Sequence, residues 1–537
     1  MFAKSIQKFR DLSSFFIYAL SLFVIGIIIY VNFFYTTYTY SSWYPLVFEN
    51  GLISSALKII IVLFLWILIH FLSKKLNKVG IVIAIILINI VSLWLKYYVI
   101  KSFNNAPVAD AWFIFDGTDV LHFTDNPAYL MKGMYFGMYP EQLGMTTLLW
   151  PIALMFRLDI NAYYYSFAWM MQLSILMLTF GAYKIKNEIS ALWLSLIMNL
   201  FVPNLFVVFL IYGDLFSLFF ISVAFLYYAL FIHSRKTQYE IVHFTILLMM
   251  LALAYLARVS TNVILIAIGI VALVWGRSYI RTLGTVLLVS LVLLFTYPLN
   301  EKVYYHEKVY LGEYSHPFNS WIRLGTGYSG FDQTTPGFHN YQVDVDLKNL
   351  GYSKEKMSQL NTNIIHNQVQ TLFENGTFSD FFYEKIKISW TDPDFEMMTL
   401  ILPYAGHSFE DPRTSSKTEL YGSGAFNLTT NTPFGSWLTS HYYDIRKYEK
   451  VLYFGILISI FLSMFKKRAD LIDYFFRLIT IGFFLLQLLI EIKSRYVYVY
   501  MNVMLIYGAL YFPDVLDRLV QFINVWIHHH MSIKKAR

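Results

Sequence analysis

The chain has 537 residues, of which 57% are hydrophobic, 19% aromatic and only 14% charged, with a formal net charge of +7 and a mean hydropathy of +0.52. An ordinary soluble domain carries roughly 25% charged residues, so the charge here is too sparse to cover a water-facing surface of this size, and the aromatic content excludes disorder. The lack of cysteine excludes a disulfide scaffold, a thiol nucleophile and a thiolate-bound metal. The positive charge reads as the Lys/Arg excess of a polytopic membrane protein, not as a nucleic-acid footprint.

A membrane crossing takes roughly 20 apolar residues, and the sequence predicts about twelve transmembrane helices. They lie near 15–36, 52–73, 79–98, 162–183, 190–212, 215–233, 241–257, 260–276, 283–299, 450–465, 471–491 and 496–513. The first is too long for a cleavable signal, and Tyr30-Val31-Asn32-Phe33 is no small-residue cleavage site. In this count Lys4, Lys8 and Arg10 share one side with Lys74, Lys75, Lys184, Lys186, Arg235, Lys236, Arg277, Arg281, Lys466, Lys467 and Arg468. The positive-inside rule then predicts a multi-pass cell-membrane protein with both termini cytoplasmic.

Four parts follow: a membrane module over 1–299 with an external loop at 99–161, an extracellular soluble domain over 300–449, C-terminal spans over 450–513, and a cytoplasmic amphipathic tail over 514–537. Residues 142–157 are apolar but short, and counting them as a span would place Lys184 and Lys186 outside. They are predicted to lie on the outer leaflet as an interfacial helix, with a second such helix at 514–530 on the cytoplasmic side. His528 to His530 in that tail read as a solvated cluster before a metal site. The 300–449 segment is polar and aromatic with turns at Gly325-Thr-Gly327, Thr335-Pro336-Gly337 and Gly422-Ser-Gly424, which predicts a mixed, irregular α+β cap.

Ionisable residues where the outer face meets the membrane are costly and therefore candidates for function. Asp110, beside Trp112 and Phe113, would be partly desolvated, with its pKa raised into the range of a usable base. The alternative is that Asp110 caps a helix over 111–123. Tyr139-Pro140-Glu141-Gln142 opens the interfacial helix and puts Glu141 at its positive end. Asp116, Asp119 and Asp125 read as a solvated face. Tyr212-Gly213-Asp214 makes a tight outer turn. Arg258 interrupts apolar sequence on the outer side, where its fork suits a phosphate, or where it snorkels to lipid headgroups. Glu491 and Arg495 are candidates too, or else an ordinary i,i+4 helical pair.

This order of motifs resembles the GT-C superfamily of integral membrane glycosyltransferases: an Asp in the first long external loop, Tyr-Pro-x-x opening an interfacial helix, Tyr-Gly-Asp, an outer Arg, then Glu-x-x-x-Arg-Tyr. Asn319-Ser-Trp321-Ile-Arg-Leu-Gly325 and Phe382-Tyr-Glu-Lys385-Ile-Lys-Ile-Ser-Trp390 are similar to segments of its Gram-positive cell-envelope members. The resemblance implies transfer of a sugar from a polyprenyl-phosphate carrier to an envelope glycan, lipid or protein on the extracellular face. It implies Asp110 as general base, Arg258 and Arg495 on the donor phosphate, and Tyr139, Glu141, Gln142, Asp214 and Glu491 around the acceptor and sugar cleft, the last two positioning the cations. Direct displacement would invert the anomeric centre.

No cofactor is required by the sequence, and nothing in it supports a divalent metal: no second acid follows Asp110. Asp344-Val-Asp346 and Asp392-Pro-Asp394 match a short Asp-x-Asp pattern but read as surface or turn structure. His316, His339, His366, His407 and His441 read as ordinary loop histidines. An envelope polysaccharide polymerase and a lipid or sugar transporter are the alternative classes, although transporters place their odd charges at mid-membrane.

Overall fold

In the computed structural model, residues 2–536 are described except 40–44, 51, 104–106, 108–109, 125, 277, 305–311, 330–334, 339, 399–408, 411–416, 419–431 and 466–469. The chain runs α1 (Phe2–Phe34), a hairpin of β1 (Tyr35–Thr39) and β2 (Pro45–Glu49), α2 (Leu52–Lys75) and α3 (Lys78–Ser102). The first long loop holds α4 (Asp110–Phe123), α5 (Tyr135–Met138) and α6 (Leu143–Phe156). Then come α7 (Ile160–Ile185), α8 (Glu188–Leu200), α9 (Pro203–Phe206), α10 (Gly213–Ile232), α11 (Thr237–Ala257), α12 (Asn262–Trp275) and α13 (Tyr279–Val303). The large insertion carries α14 (Asn319–Thr326), α15 (Gln342–Asn349), α16 (Lys354–Glu374), α17 (Phe378–Trp390) and α18 (Pro433–Ser440). The chain ends in α19 (Tyr442–Ser463), α20 (Leu471–Leu489) and α21 (Ser494–Ala536).

Short polar links separate the long helices because capping side chains satisfy the first backbone N–H groups. Asn77 accepts from Gly80 N at 2.8 Å, Asp159 from Asn161 N at 3.1 Å, Asn187 from Ser190 N at 2.9 Å and Asp470 from Asp473 N at 2.8 Å.

All twelve predicted spans fall on helices, but among the described residues only α1, α3, α7, α10, α11, α13, α20 and α21 are long and apolar enough to cross a membrane, eight in all. The 190–212 stretch becomes a ninth only if α8 and the turn from α9 are counted together, since they meet at 67°. Pro203 starts the second piece and cannot continue a helix. Asn204 Nδ2 donates to Met198 O at 2.9 Å, one of the carbonyls the break would orphan. The 260–276 stretch shortens to the 14 residues of α12, about 21 Å. α19 covers 450–465 but opens with Arg446, Lys447, Glu449 and Lys450. Length and composition are those of a multi-pass membrane protein.

Two expectations are corrected. The tail is no separate helix: α21 continues for 43 residues through Pro513, which removes one hydrogen bond without ending it. The side chains of His528 to His530 lie outside the described residues. The described part of 300–449 is helical, not mixed α+β: its strands are two-residue pairs, Tyr328–Ser329 with Thr335–Pro336 and Phe409–Glu410 with Lys417–Thr418. The Gly422-Ser-Gly424 turn lies outside the described residues.

The insertion is pinned onto the bundle by buried polar contacts. Lys385 on α17 is fully buried, and its Nζ donates to Gly325 O at 2.6 Å, Leu488 O at 2.7 Å and Ile490 O at 2.7 Å. All three ammonium protons are used, and they tie α14 and α17 to the link between α20 and α21. Gly325 is required there, because a Cβ would meet Leu489 O at 2.3 Å. Lys385→Met should therefore lower the melting temperature of the detergent-solubilised protein by the equivalent of about 3 kcal/mol or more, three orphaned carbonyls at ~1–3 kcal/mol each. An unchanged melt would show the insertion to be held elsewhere.

Candidate functional site

Helix α4 starts at Asp110 itself, one residue earlier than expected, so the carboxylate sits in the first turn. No hydrogen bond to it occurs among the described residues, which leaves the capping alternative without a bond. Asp110 is half-buried, while the Trp112 and Phe113 expected to desolvate it are themselves exposed. Its surroundings come from aromatic hydroxyls: the Asp110 charge acts on Tyr135, Tyr139, Tyr212 and Tyr341. Burial first pushes the Tyr135 and Tyr139 phenols well above their ordinary value, followed by Tyr212 for Tyr135 and by the bonded Asp344 for Tyr139, with Asp110 adding to both, so both stay protonated. Asp119 is mostly buried and bound to Arg157 at 2.7 Å, and Asp116 accepts from the Tyr129 hydroxyl, which corrects the solvated reading of both. Asp125 lies outside the described residues.

Tyr139, Glu141 and Gln142 follow as a single turn, Pro140–Gln142, running into α6, and all three are half-buried. Desolvation pushes Glu141 up to about 7, with Glu301 adding repulsion and Lys354 opposing it. Between pH 4.5 and 7 the folded chain keeps a proton that the unfolded chain releases, so stability falls as pH rises through that window. Glu141→Gln should raise the melting temperature at pH 8 and leave it unchanged at pH 4, below the window. Equal melts for both proteins at both pH values would refute the shift.

A second group of residues comes from the ends of α10, α11 and α21. Gly213 lets the start of α10 touch the end of α11, where a Cβ would stand 1.9 Å from Ala257 O. This close approach brings fully buried Asp214 onto Arg258, which bonds its Oδ1. Arg258 is thus no lone cation. It also lies over the Tyr496 ring at 5.2 Å, and Arg495 lies over the Tyr212 ring at 4.7 Å. Among the described residues the Nε of Arg495 and the Oδ2 of Asp214 have no hydrogen-bond partner. Glu491 sits in the link before α21, which begins at Ser494, so Glu491 and Arg495 are not an i,i+4 helical pair. Instead Glu491 is buried, its backbone N–H bonds Trp321 O at 2.9 Å, and Lys493 Nζ stands 3.9 Å from its carboxylate. Tyr212 joins the two groups: Asp110, Arg495, Arg258 and Asp214 all act on its phenol.

Both Asp-x-Asp segments turn out to be engaged. Asp344 accepts from Tyr139 Oη at 2.7 Å and stands 2.8 Å from His316 Nε2, so α15 of the insertion reaches into the first-loop wall. Asp346 accepts from Arg323 at 2.6 Å. Asp392 and Asp394 are completely buried and paired with Arg446, and Ser494 Oγ stands 2.9 Å from a carboxylate oxygen of each of Asp392 and Glu396. Asp392 and Asp394 do lie in a bend but are buried rather than at the surface, and Asp344 and Asp346 are half-buried. His316 lies in a loop as expected yet is packed against Asp344, whereas His366 is in α16 and not in a loop. His339 and His407 lie outside the described residues. Among the described residues no group of three His, Asp or Glu side chains is arranged to hold a metal ion.

No protein-family model matches the sequence, and no curated protein matches it. Among solved structures, the crystal structure of the Archaeoglobus fulgidus oligosaccharyltransferase in the apo form superposes with a TM-score of 0.43 at 15% identity, covering 84% of this chain. The chain spans about half of that structure, 52% of its length.

Proposed function

We propose that this chain is a membrane glycosyltransferase of the GT-C kind, moving a sugar from a polyprenyl-phosphate carrier to a cell-envelope acceptor on the extracellular side. The observation that carries the reading is Tyr212, whose phenol is acted on by the half-buried Asp110 carboxylate and by the guanidinium groups of Arg495, which lies over its ring, and Arg258. Displacement at an anomeric carbon asks for that arrangement. Asp110 takes the proton from the acceptor hydroxyl, the freed oxygen bonds the anomeric carbon, and the bond from that carbon to the phosphate oxygen breaks. Arg495 and Arg258 stabilise the charge that builds on the departing lipid phosphate. Asp214 holds Arg258 in place, and Glu491 shapes the link that presents Arg495. Tyr139, Glu141 and Gln142 border the acceptor side, with Tyr139 fixed by Asp344. Direct displacement inverts the sugar.

The test is to incubate purified protein with radiolabelled undecaprenyl-phosphate sugar and an envelope glycan acceptor fraction. Label should leave the lipid in an Asp110-dependent way. Label that crosses the membrane unconsumed would mark a transporter, and lengthening only of a lipid-linked oligosaccharide would mark a polymerase. Orientation is checked separately, since the chain has no native cysteine. A cysteine at Glu374 should react with an impermeant reagent on intact cells, and cysteines at Asn77 or Ser234 only after permeabilisation. The reverse pattern would put Asp110 in the cytoplasm.

A further inference from the structure

An apolar cavity of about 280 Å³ lies among α10, α11, α12, α20 and α21, with the start of α13 along its side. Its walls are side chains such as Phe225, Leu251, Ile268, Phe476 and Val503, and its few polar groups include Arg281, Thr282 and Thr285 from α13. Left empty, such a space forfeits the dispersion contacts of every wall atom. Water does not fill it, because a buried water needs two to four polar partners. In a bilayer the material at hand to fill it is a lipid chain.

None of the residues lining this cavity comes from the Asp110 region. Along α10 the order is Asp214, Ser217, then the first lining residue, Ile221. Ser217 Oγ and Thr261 Oγ1 are 2.9 Å apart, and Thr261 Oγ1 donates to Ala254 O at 3.3 Å. Tyr500 bonds Ser260 O in the same layer. This polar layer lies between the Asp214–Arg258 pair and the cavity, so a chain entering from that site would have to break it.

The other end is cationic. Arg281 borders the cavity, is 71% exposed and stands 3.4 Å from Glu240. Arg10 lies over the ring of Trp275, a lining residue, at 5.1 Å, and its Nε donates to Val274 O at 3.1 Å. Arg235 and Lys236 are exposed in the link between α10 and α11, and the acids on the described elements nearby include Asp11, Glu240, Asp470 and Asp473, the last paired with Arg477. A guanidinium fork over an apolar slot fits one phosphate and its chain.

We propose that this cavity holds one acyl chain of an anionic glycerophospholipid from the leaflet at the Arg10 end, its headgroup phosphate on Arg281 and Arg10. The site is separate from the glycosyl-transfer reading and does not depend on it. The full chain is placed in phosphatidylcholine nanodiscs and titrated with phosphatidylglycerol carrying brominated acyl chains, which quench indole fluorescence on contact. The difference between the native chain and Trp275→Phe isolates the Trp275 signal. That signal should fall saturably, and Ala272→Phe, which fills the cavity, should remove the saturable part. Arg281→Gln, on an exposed side chain, should shift the midpoint about fivefold, as expected for one basic residue at a lipid surface. Equal quenching by brominated phosphatidylcholine, or quenching untouched by both Ala272→Phe and Arg281→Gln, would reduce the contact to the ordinary lipid annulus and overturn the proposal. Displacement of the brominated lipid by undecaprenyl phosphate would overturn it too, by making the carrier the occupant.

Discussion

Asp110→Asn is expected to lower turnover by about 10²–10⁴-fold while the solubilised protein melts as before and still binds donor lipid. The loss is the usual worth of a positioned general base. The unchanged melt follows from the structure: the Asp110 carboxylate accepts no hydrogen bond among the described residues, and α4 already begins at Asp110. An amide of the same shape in that first turn costs the fold little. Asp110→Ala should match the Asn variant in activity, because both lack the basic oxygen. Full activity in the Asn variant would move the base elsewhere. Glu141, whose burial pushes it up to about 7, would be next to examine.

Arg495→Ala is expected to weaken apparent donor affinity about ten- to hundredfold, from the ~1.5–3 kcal/mol carried by a charged hydrogen bond. Arg495→Lys should recover only part, since an ammonium keeps the charge and loses the planar fork and the stacking on Tyr212. Arg258 is a less clean test. Its removal leaves the fully buried Asp214 without its partner, a loss of ~3–5 kcal/mol in fold stability whether or not phosphate is bound. Arg258→Ala should therefore be read alongside Arg258→Ala/Asp214→Asn, in which the stranded charge is gone. The double variant should melt closer to native and still bind donor poorly. Unchanged donor dependence in both Arg495→Ala and the double variant would leave these arginines as packing cations.

Mutation of either group changes contacts made between distant parts of the chain, which is where the sequence was hardest to read. Tyr139 and Asp344 are 205 positions apart and bonded. The short Asp-x-Asp pattern was visible, but local polarity marked it as surface. The arrival of α15 against the first loop is what gives Asp344 its partners. Asp392 and Asp394 repeat the lesson, because Arg446 removes them from water by pairing with them. Glu491 and Arg495 have helical spacing on paper, yet the link pinned by Lys385 keeps Glu491 out of α21. Asp214 and Arg258 were each noticed, but not as a pair, since their contact depends on Gly213 and the crossing of two helices.

By itself the sequence determined that this is a multi-pass membrane protein, the position of each apolar helix and the helix-end residues considered for a site. Hydropathy and charge are summed over neighbours in the chain, and membrane insertion responds to that same local sum. Which spans run full length was decided by tertiary structure, as at the 67° break before Pro203 and in the 14 residues of α12. The helical nature of the described insertion, and the partners of its buried charges, were decided the same way. A buried ion pair or a carbonyl clamp gains its energy from groups that only packing brings within about 3 Å, where water no longer competes.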